Sequence, residues 1–430
     1  MVATTSGNSW RFHADRDGLL AEAHARPSTP VSAPMLSSRI ATMGGQTSTE
    51  VDRAHMAALC RKMGASEPGP GARWCVLDGG TWRLRWERHT EVSTWTVFRD
   101  VPQPGVADFS QTALDVVPQD WLQAMPGEVL AACHIAIVAE TPAHMPFADG
   151  DIIASVVGGG GFTIFTDFRA GPDSFTRFLI VDQQDSPAAA GRVLQQLFEI
   201  ETYRLLAMLA FPVVSRTAPT LARLELEAGT AAQQVMEEGG VEADRALLSR
   251  LAALAGEAET LVGQTGFRFS AAQAYQGLVQ ERIAQLRERQ VERRPTIAEF
   301  MERRLAPAMR TCASVAVRQQ DVIARIARTA QMLNTRVEVA SEAINVGLLA
   351  SMDRRSQEQL RLQQTVEGLS VAAITYYTVG VLHYGIEALA EINSRLNPSL
   401  LTGASIPVVA FLVWRTLKRV RDHLSDSGPS

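Results

Sequence analysis

Lysine is nearly missing from this chain. Lys62 and Lys418 stand alone among 41 Lys and Arg residues, so positive charge here is almost all arginine, a compositional bias rather than a device. Cysteine is sparse too. Cys60, Cys75, Cys133 and Cys312 show no CxxC spacing, which excludes the usual zinc site and disulfide frame and suits a reducing compartment. Excess basic charge is absent: the net charge is −5 and the pI ≈ 6.0, so no nucleic acid partner is expected. The opening stretch, MVATTSGNSWRFHADRD, has no apolar core of signal-peptide length, and export from the front end is not expected. No Ser/His/Asp set, paired acid/base carboxylates or His-rich ligand pattern stands out, so neither an enzyme nor a cofactor is expected.

What is present is a pair of long uncharged runs near the C-terminus. Residues 368–386, GLSVAAITYYTVGVLHYGI, contain no Asp, Glu, Lys or Arg. At ~1.5 Å per residue they reach roughly 28 Å as a helix, close to the hydrocarbon thickness of a bilayer. A second run covers 396–414, with Pro407 inside it and its strongly apolar part confined to 406–414; a re-entrant or interfacial segment is the alternative to a full span there. Arg354, Arg355 and Arg361 precede the pair, and Arg415, Lys418, Arg419 and Arg421 follow it. The turn between carries Glu387, Glu391 and only Arg395. Positive residues stay inside, so the runs predict a transmembrane hairpin with both termini cytoplasmic. With 46% hydrophobic residues and a mean hydropathy of −0.01, the rest of the chain reads as soluble.

Upstream, the expected fold is α+β in four parts. Residues 1–73 read as an irregular N-terminal segment punctuated by Pro27, Pro30 and Pro34, with a helix over 50–62. Residues 74–185 read as a mixed α/β sheet domain. TWRLRWERH (81–89) and EVSTWTVF (91–98) alternate at period two, with Gly79 and Gly80 placed to close a tight hairpin before them. Further strands are expected over 129–139, 151–157, 162–168 and 175–181. Residues 186–362 read as helical and coiled-coil. Ser186 is placed to cap a helix with Pro187 at its first position, ending at Pro212. Leu247, Leu251, Leu254, Ala258 and Leu261 form one heptad seam; another helix is expected over 267–294. Ile326, Ala330, Leu333, Val337, Ala340 and Ile344 form a second seam on a long helix starting near Pro307, facing another helix or another subunit of a homo-oligomer. Residues 363–421 hold the hairpin and basic tail.

The glycine run 158–161 is followed by FTIFTDF rather than by a helix bearing Lys and Ser/Thr, so a hairpin turn fits better than a phosphate cradle. His89 and Glu91, two apart on the expected strand, would share a face, as an ion pair or as part of a metal site lacking a further ligand. Asp167, Arg169, Asp173 and Arg177 flank the next turn as a salt-bridge set. His24 and Arg26, with Glu22, form either a turn or a small anion or partner site.

Several segments together resemble a known family: AEAHARP (21–27), RWERHTE (85–91), TDFRAGPDSFTRFLI (166–180), EIETYRLLAMLA (199–210), FRFSAAQAYQGLVQERIAQLRE (267–288), ERRLAPAMRTC (302–312) and LRLQQTVEGLSVAAITYYTVG (360–380). The chain is similar over almost its whole length to a bacterial domain-of-unknown-function family described as uncharacterised membrane-anchored proteins. That resemblance implies anchoring in the lipid bilayer, no set activity, and motif residues of unassigned role at His24, Arg26, His89, Glu91, Asp167 and Arg177. One departure is that the family's Ser-His pair is replaced by Ser38 followed by Arg39. The order of elements also resembles CorA-type magnesium channels. Where those carry Tyr-Gly-Met-Asn at the outer end of the first span, this chain has Tyr384, Gly385, Ile386 and Glu387. That likeness implies a cation channel or sensor passing a divalent cation, with Thr375, Thr378, Tyr384 and Gly385 lining a pore and Glu387 and Glu391 drawing cations to its mouth. The lost Asn counts against magnesium. The other class is a membrane-anchored scaffold that binds a protein partner and transports nothing.

Overall fold

The computed structural model describes residues 12–16, 19–20, 28–44, 48–101, 108–237, 239–392 and 398–425. The chain is mixed α+β and divides into two units, Met1–Glu237 with Ser249–Ala330, and Glu238–Leu248 with Gln331–Ser430. Its strands are β1 (Met35–Met43), β2 (Trp74–Asp78), β3 (Trp82–Arg88), β4 (Val92–Asp100), β5 (Glu128–Val138), β6 (Ile153–Val157), β7 (Phe162–Ala170), β8 (Thr176–Asp182) and β9 (Arg289–Gln290). Its α-helices, among the described residues, are α1 (Ser48–Lys62), α2 (Gln119–Gln123), α3 (Pro187–Met208), α4 (Ala210–Met236), α5 (Val241–Leu286), α6 (Ile297–Ile392) and α7 (Pro398–Ser425).

The first unit is built on one nine-stranded sheet in the order β2-β3-β4-β1-β5-β8-β7-β6-β9. Only β5 and β8 run parallel; the other neighbours are antiparallel. The strands expected from alternation form where expected, and Gly79 and Gly80 join β2 to β3. The helix expected over 50–62 is α1, but the reading of the segment before it as irregular does not hold over 35–43. Residues 35–43 form β1, which pairs with β4 on one side and β5 on the other, and α1 follows it.

The two faces of the sheet differ in chemistry. On one, Leu84, Trp86, Trp95 and Val97 pack with Met56, Leu59 and Cys60 of α1 and with Trp121 of α2. The ring of His55 stacks on Trp121 at 4.4 Å and meets the edge of Trp95 at 5.6 Å. Period-two alternation sends the intervening residues Arg85, Glu87, Thr94 and Thr96 to the opposite face, together with Arg39 of β1. There α3 lies over them, with Phe198 beneath the guanidinium of Arg39 at 4.5 Å. Gly191 lets the segment before β1 approach α3: a Cβ there would stand 2.1 Å from the Thr29 carbonyl oxygen.

Two helix boundaries correct the sequence reading. Ser186 makes no side-chain cap, although Pro187 does take the first position. The break after α3 falls at Leu209, not Pro212. Pro212 sits in the first turn of α4, where its missing N–H has no intrahelical acceptor to lose. Helices α4, α5 and α6 then present buried residues at intervals of three and four. These are Leu221, Leu224, Ala228 and Ala231; Leu251, Leu254, Ala258 and Leu261; and Gln319, Val322 and Ile326. Arg318 clamps Glu225 with bonds of 2.8 and 2.6 Å, and the Thr265 hydroxyl donates to Gln319 at 3.1 Å. The long helix α6 starts at Ile297, ten residues before Pro307, because Thr296 and Glu299 form a capping box and Glu288 accepts from the Ile297 and Ala298 N–H groups at 3.1 and 2.9 Å. The Ser155 hydroxyl of β6 donates to the same Glu288 at 2.6 Å, tying sheet to helix start.

In the second unit, Arg336 of α6 donates through Nε to Asp244 at 2.7 Å. Leu333 is fully buried, whereas Ile344, further along the same expected seam, is 55% exposed. Among the described residues, three helical stretches are long and apolar enough to cross a membrane by length and composition: Pro187–Met236, Ile297–Ala388 and Ser399–Arg419. The first of these buries Leu194, Leu197, Phe198 and Ile200 within the sheet-containing unit.

Candidate functional site

The polar face of the sheet borders a partly open cavity of ≈ 220 Å³ beneath α3 and α5. Arg39, Glu87 and Thr94 line its floor, Glu199, Thr202 and Tyr203 come from α3, and Arg282 comes from α5. Charged side chains are buried here at a density unusual for a protein interior. Glu87 lies 3.3 Å from Arg85 as an ion pair. Glu199 pairs with Arg282 and also accepts from the Gln195 amide at 2.8 Å. Glu201, two residues on and fully buried, is held by both arms of Arg204 at 2.6 and 2.7 Å. Arg39 donates its Nε to the Thr96 hydroxyl at 2.8 Å. Cys133, directly opposite Arg39 on β5, is pushed up well beyond the ordinary thiol range by complete burial and then by Glu201, so it stays a thiol.

Beside this cavity, Glu91 accepts from Arg268 and from the Tyr275 hydroxyl at 2.9 Å, both on α5. Burial, then that bond, raises the Tyr275 phenol above its ordinary range. His89 instead meets Thr94 at 3.2 Å. The expectation that His89 and Glu91 share a strand face is therefore corrected. β3 ends at Arg88, both residues lie in the hairpin turn before β4, and their side chains go to different partners.

On the opposite face, Ser38, His134 and Asp173 come together from three chain segments. The Ser38 hydroxyl is 2.7 Å from Nδ1 of His134, whose Nε2 is 3.3 Å from Asp173. This set was not legible in the sequence. Ser38 and His134 are both buried, and Phe175 stacks on the imidazole at 4.2 Å. Burial pulls the His134 pKa down to about 4, outweighing Asp173, so the ring is neutral near pH 7. A neutral ring satisfies both contacts when Nε2–H donates to Asp173 and Nδ1 accepts from Ser38. The position after Ser38 holds Arg39, yet a histidine still meets Ser38, from the adjacent strand. Asp173 also takes Arg177 at 3.1 Å. Arg169 turns to Asp151 at 3.1 Å, and Asp167 accepts from the Arg169 backbone N–H at 3.0 Å, so the expected four-residue set divides. The glycine run forms the β6–β7 turn, with Gly158, Gly159 and Gly160 all at positive φ.

In the second unit, α6 and α7 flank an apolar groove lined by Thr375, Gly380, His383, Thr402 and Ile406. His383 and Thr402 bond across it at 3.0 Å. Thr375 is 9% exposed, while Thr378 turns outward and returns its hydroxyl to the Ile374 carbonyl at 2.7 Å. Tyr384 is exposed, as are Gly385 and Glu387. His24, Arg26 and the side chain of Glu391 lie outside the described residues. Among the described residues, no three His, Cys, Asp or Glu side chains gather as a metal site.

Residues 11–424 match a family described as "Protein of unknown function (DUF3422)". The chain belongs to the DUF3422 family. No curated protein and no solved structure matches it. The DUF3422 match takes in both units, so the sheet, the cavity and the apolar helices all fall inside the family's extent.

Proposed function

We propose that this DUF3422 protein is anchored in a bacterial inner membrane by a hairpin of α6 and α7, with both termini cytoplasmic, and acts there as a non-transporting scaffold. The observation that carries this reading is the pairing of His383 with Thr402 across the groove, with Thr375 turned to the same side. His383 of the first apolar run is thereby engaged inside one chain's hairpin, as helix-to-helix bonds in lipid are, while Ser370 and Thr378 return their hydroxyls to their own helix. Tyr384, near the end of the first run, is exposed at the depth where tyrosines serve as interface anchors. The heptad-spaced helices, read as coiled-coil elements, offer a partner or a second copy the exposed apolar positions Ile344, Leu348 and Met352.

The second reading is a CorA-like oligomeric channel or sensor for a divalent cation. It draws on the element order and on Glu387, exposed at the end of the first run, where a ring of carboxylates would concentrate cations. Flux measurements on the purified chain in liposomes separate the two. The scaffold reading expects no divalent or monovalent flux under any gradient. Cation flux that falls when Glu387 and Glu391 are both changed to Gln, mostly at low salt, overturns it in favour of the channel.

A further inference from the structure

We propose that the cavity under α3 and α5 is a binding site for a small zwitterion of the amino-acid class, its carboxylate on Arg39 and its ammonium on Glu87. A guanidinium as buried as Arg39, at 4% exposure, is ordinarily paired with a carboxylate. Among the described residues none pairs with it. Glu87 is engaged by Arg85, Glu199 by Arg282 and Glu201 by Arg204. Arg39 bonds only the Thr96 hydroxyl, through Nε, and rests on the Phe198 ring. Its planar fork of Nη donors is thus left for a carboxylate, which it matches in geometry.

Glu87 supplies the other half. Its Oε2 faces Arg85, but its buried Oε1 has no hydrogen-bond partner. A simple anion such as phosphate would satisfy Arg39 and leave that oxygen bare; an ammonium group satisfies it. Arg39 and Glu87 stand two strands apart on one sheet face and two residues apart in register, roughly 12 Å at the backbone, and their side chains line the same cavity. The cavity volume of ≈ 220 Å³ has room for a small amino acid. The inference concerns the sheet-containing unit alone and holds whether or not the chain is anchored.

The test uses the full chain in detergent. Thermal unfolding is followed with each of the twenty L-amino acids, with the corresponding acids lacking the amino group, and with inorganic phosphate, all at one concentration. At least one amino acid should raise the Tm, because a ligand bound only to the folded state stabilises it. Calorimetric titration of that amino acid should show binding weakened roughly 10–100-fold by Arg39→Met, the range for a charged hydrogen bond. Glu87→Gln should weaken the amino acid but leave any weak binding of its des-amino analogue unchanged. Arg39→Met should not lower the Tm of the ligand-free protein, since it removes a charge that has no counter-ion. Failure of every amino acid to shift the Tm overturns the proposal, as does equal binding by wild type and Arg39→Met. Phosphate stabilising as well as the best amino acid also overturns it, leaving a plain anion site. If Arg39→Met does not fold, Thr202→Met, which fills the cavity from α3, should abolish the shift.

Discussion

Ser38 and His134 face each other directly in the β1–β5 register, hydroxyl to Nδ1 at 2.7 Å. The pair is sealed in the sheet, so its first consequence is for stability. The His134 pKa is near 4 in the fold and about 6.5 in an unfolded chain. The unfolded state then takes up the proton first as pH falls, and stability is lost from about pH 6.5 down to about pH 4. Urea midpoints should fall across that window, with roughly 3 kcal/mol at stake from this ring. His134→Asn should flatten the fall without abolishing it, because burial also depresses His55.

Glu91 is the only carboxylate among the described residues that forms a salt bridge with Arg268. Glu91→Ala should cost about 3–5 kcal/mol by leaving a largely buried guanidinium uncompensated. Glu91→Leu combined with Arg268→Met should recover most of that loss. Chemical denaturation of the three proteins checks both expectations.

Leu333 and Ile344 belong to one expected seam but to different surroundings. Leu333→Ala should destabilise by about 2–5 kcal/mol as a buried truncation. Ile344→Ala, on an exposed position, should stay within about 0.5 kcal/mol. If Ile344→Ala proves as costly, the exposed stretch is covered by a second copy, and cross-linking of the wild type should then trap a dimer or higher species.

Much of this architecture was legible because its strands and helices obey simple periods. β3 and β4 alternate because only one of their faces is apolar. β1 was not legible: Ser37, Ser38, Arg39 and Thr42 give MLSSRIATM the look of a loop, although both its faces are buried. Its polar residues are satisfied across strands, by Val97, His134 and Thr96, which a single sequence does not display. The cavity escaped for the same reason, since Arg39, Glu87, Glu199 and Arg282 come from four distant segments. A signal did exist. Glu201 stands next to Ile200 and among Leu197, Phe198 and Leu206, the apolar positions of its helix, where a carboxylate needs a partner.

Topology gives the most direct check on the anchor. A reporter fused after Ser430 should be active only in the cytoplasm, and one inserted at Asn393 only outside. Truncation before Glu367 should release the remainder into the soluble fraction; retention in membranes would reveal another anchor, with the apolar stretch Pro187–Met236 the first to examine.

Because β9 pairs with β6 and Glu288 binds Ser155, the sheet borrows its last edge from a point well past its own strands. A ribosome must therefore reach about residue 330 before the first unit has all its parts. At roughly 5–20 residues per second, the apolar run beginning at 368 follows within about 2–8 s. Completion of the first unit and synthesis of the first apolar run thus fall close together in time. A nascent chain that stalls between them would carry a finished sheet and none of that run.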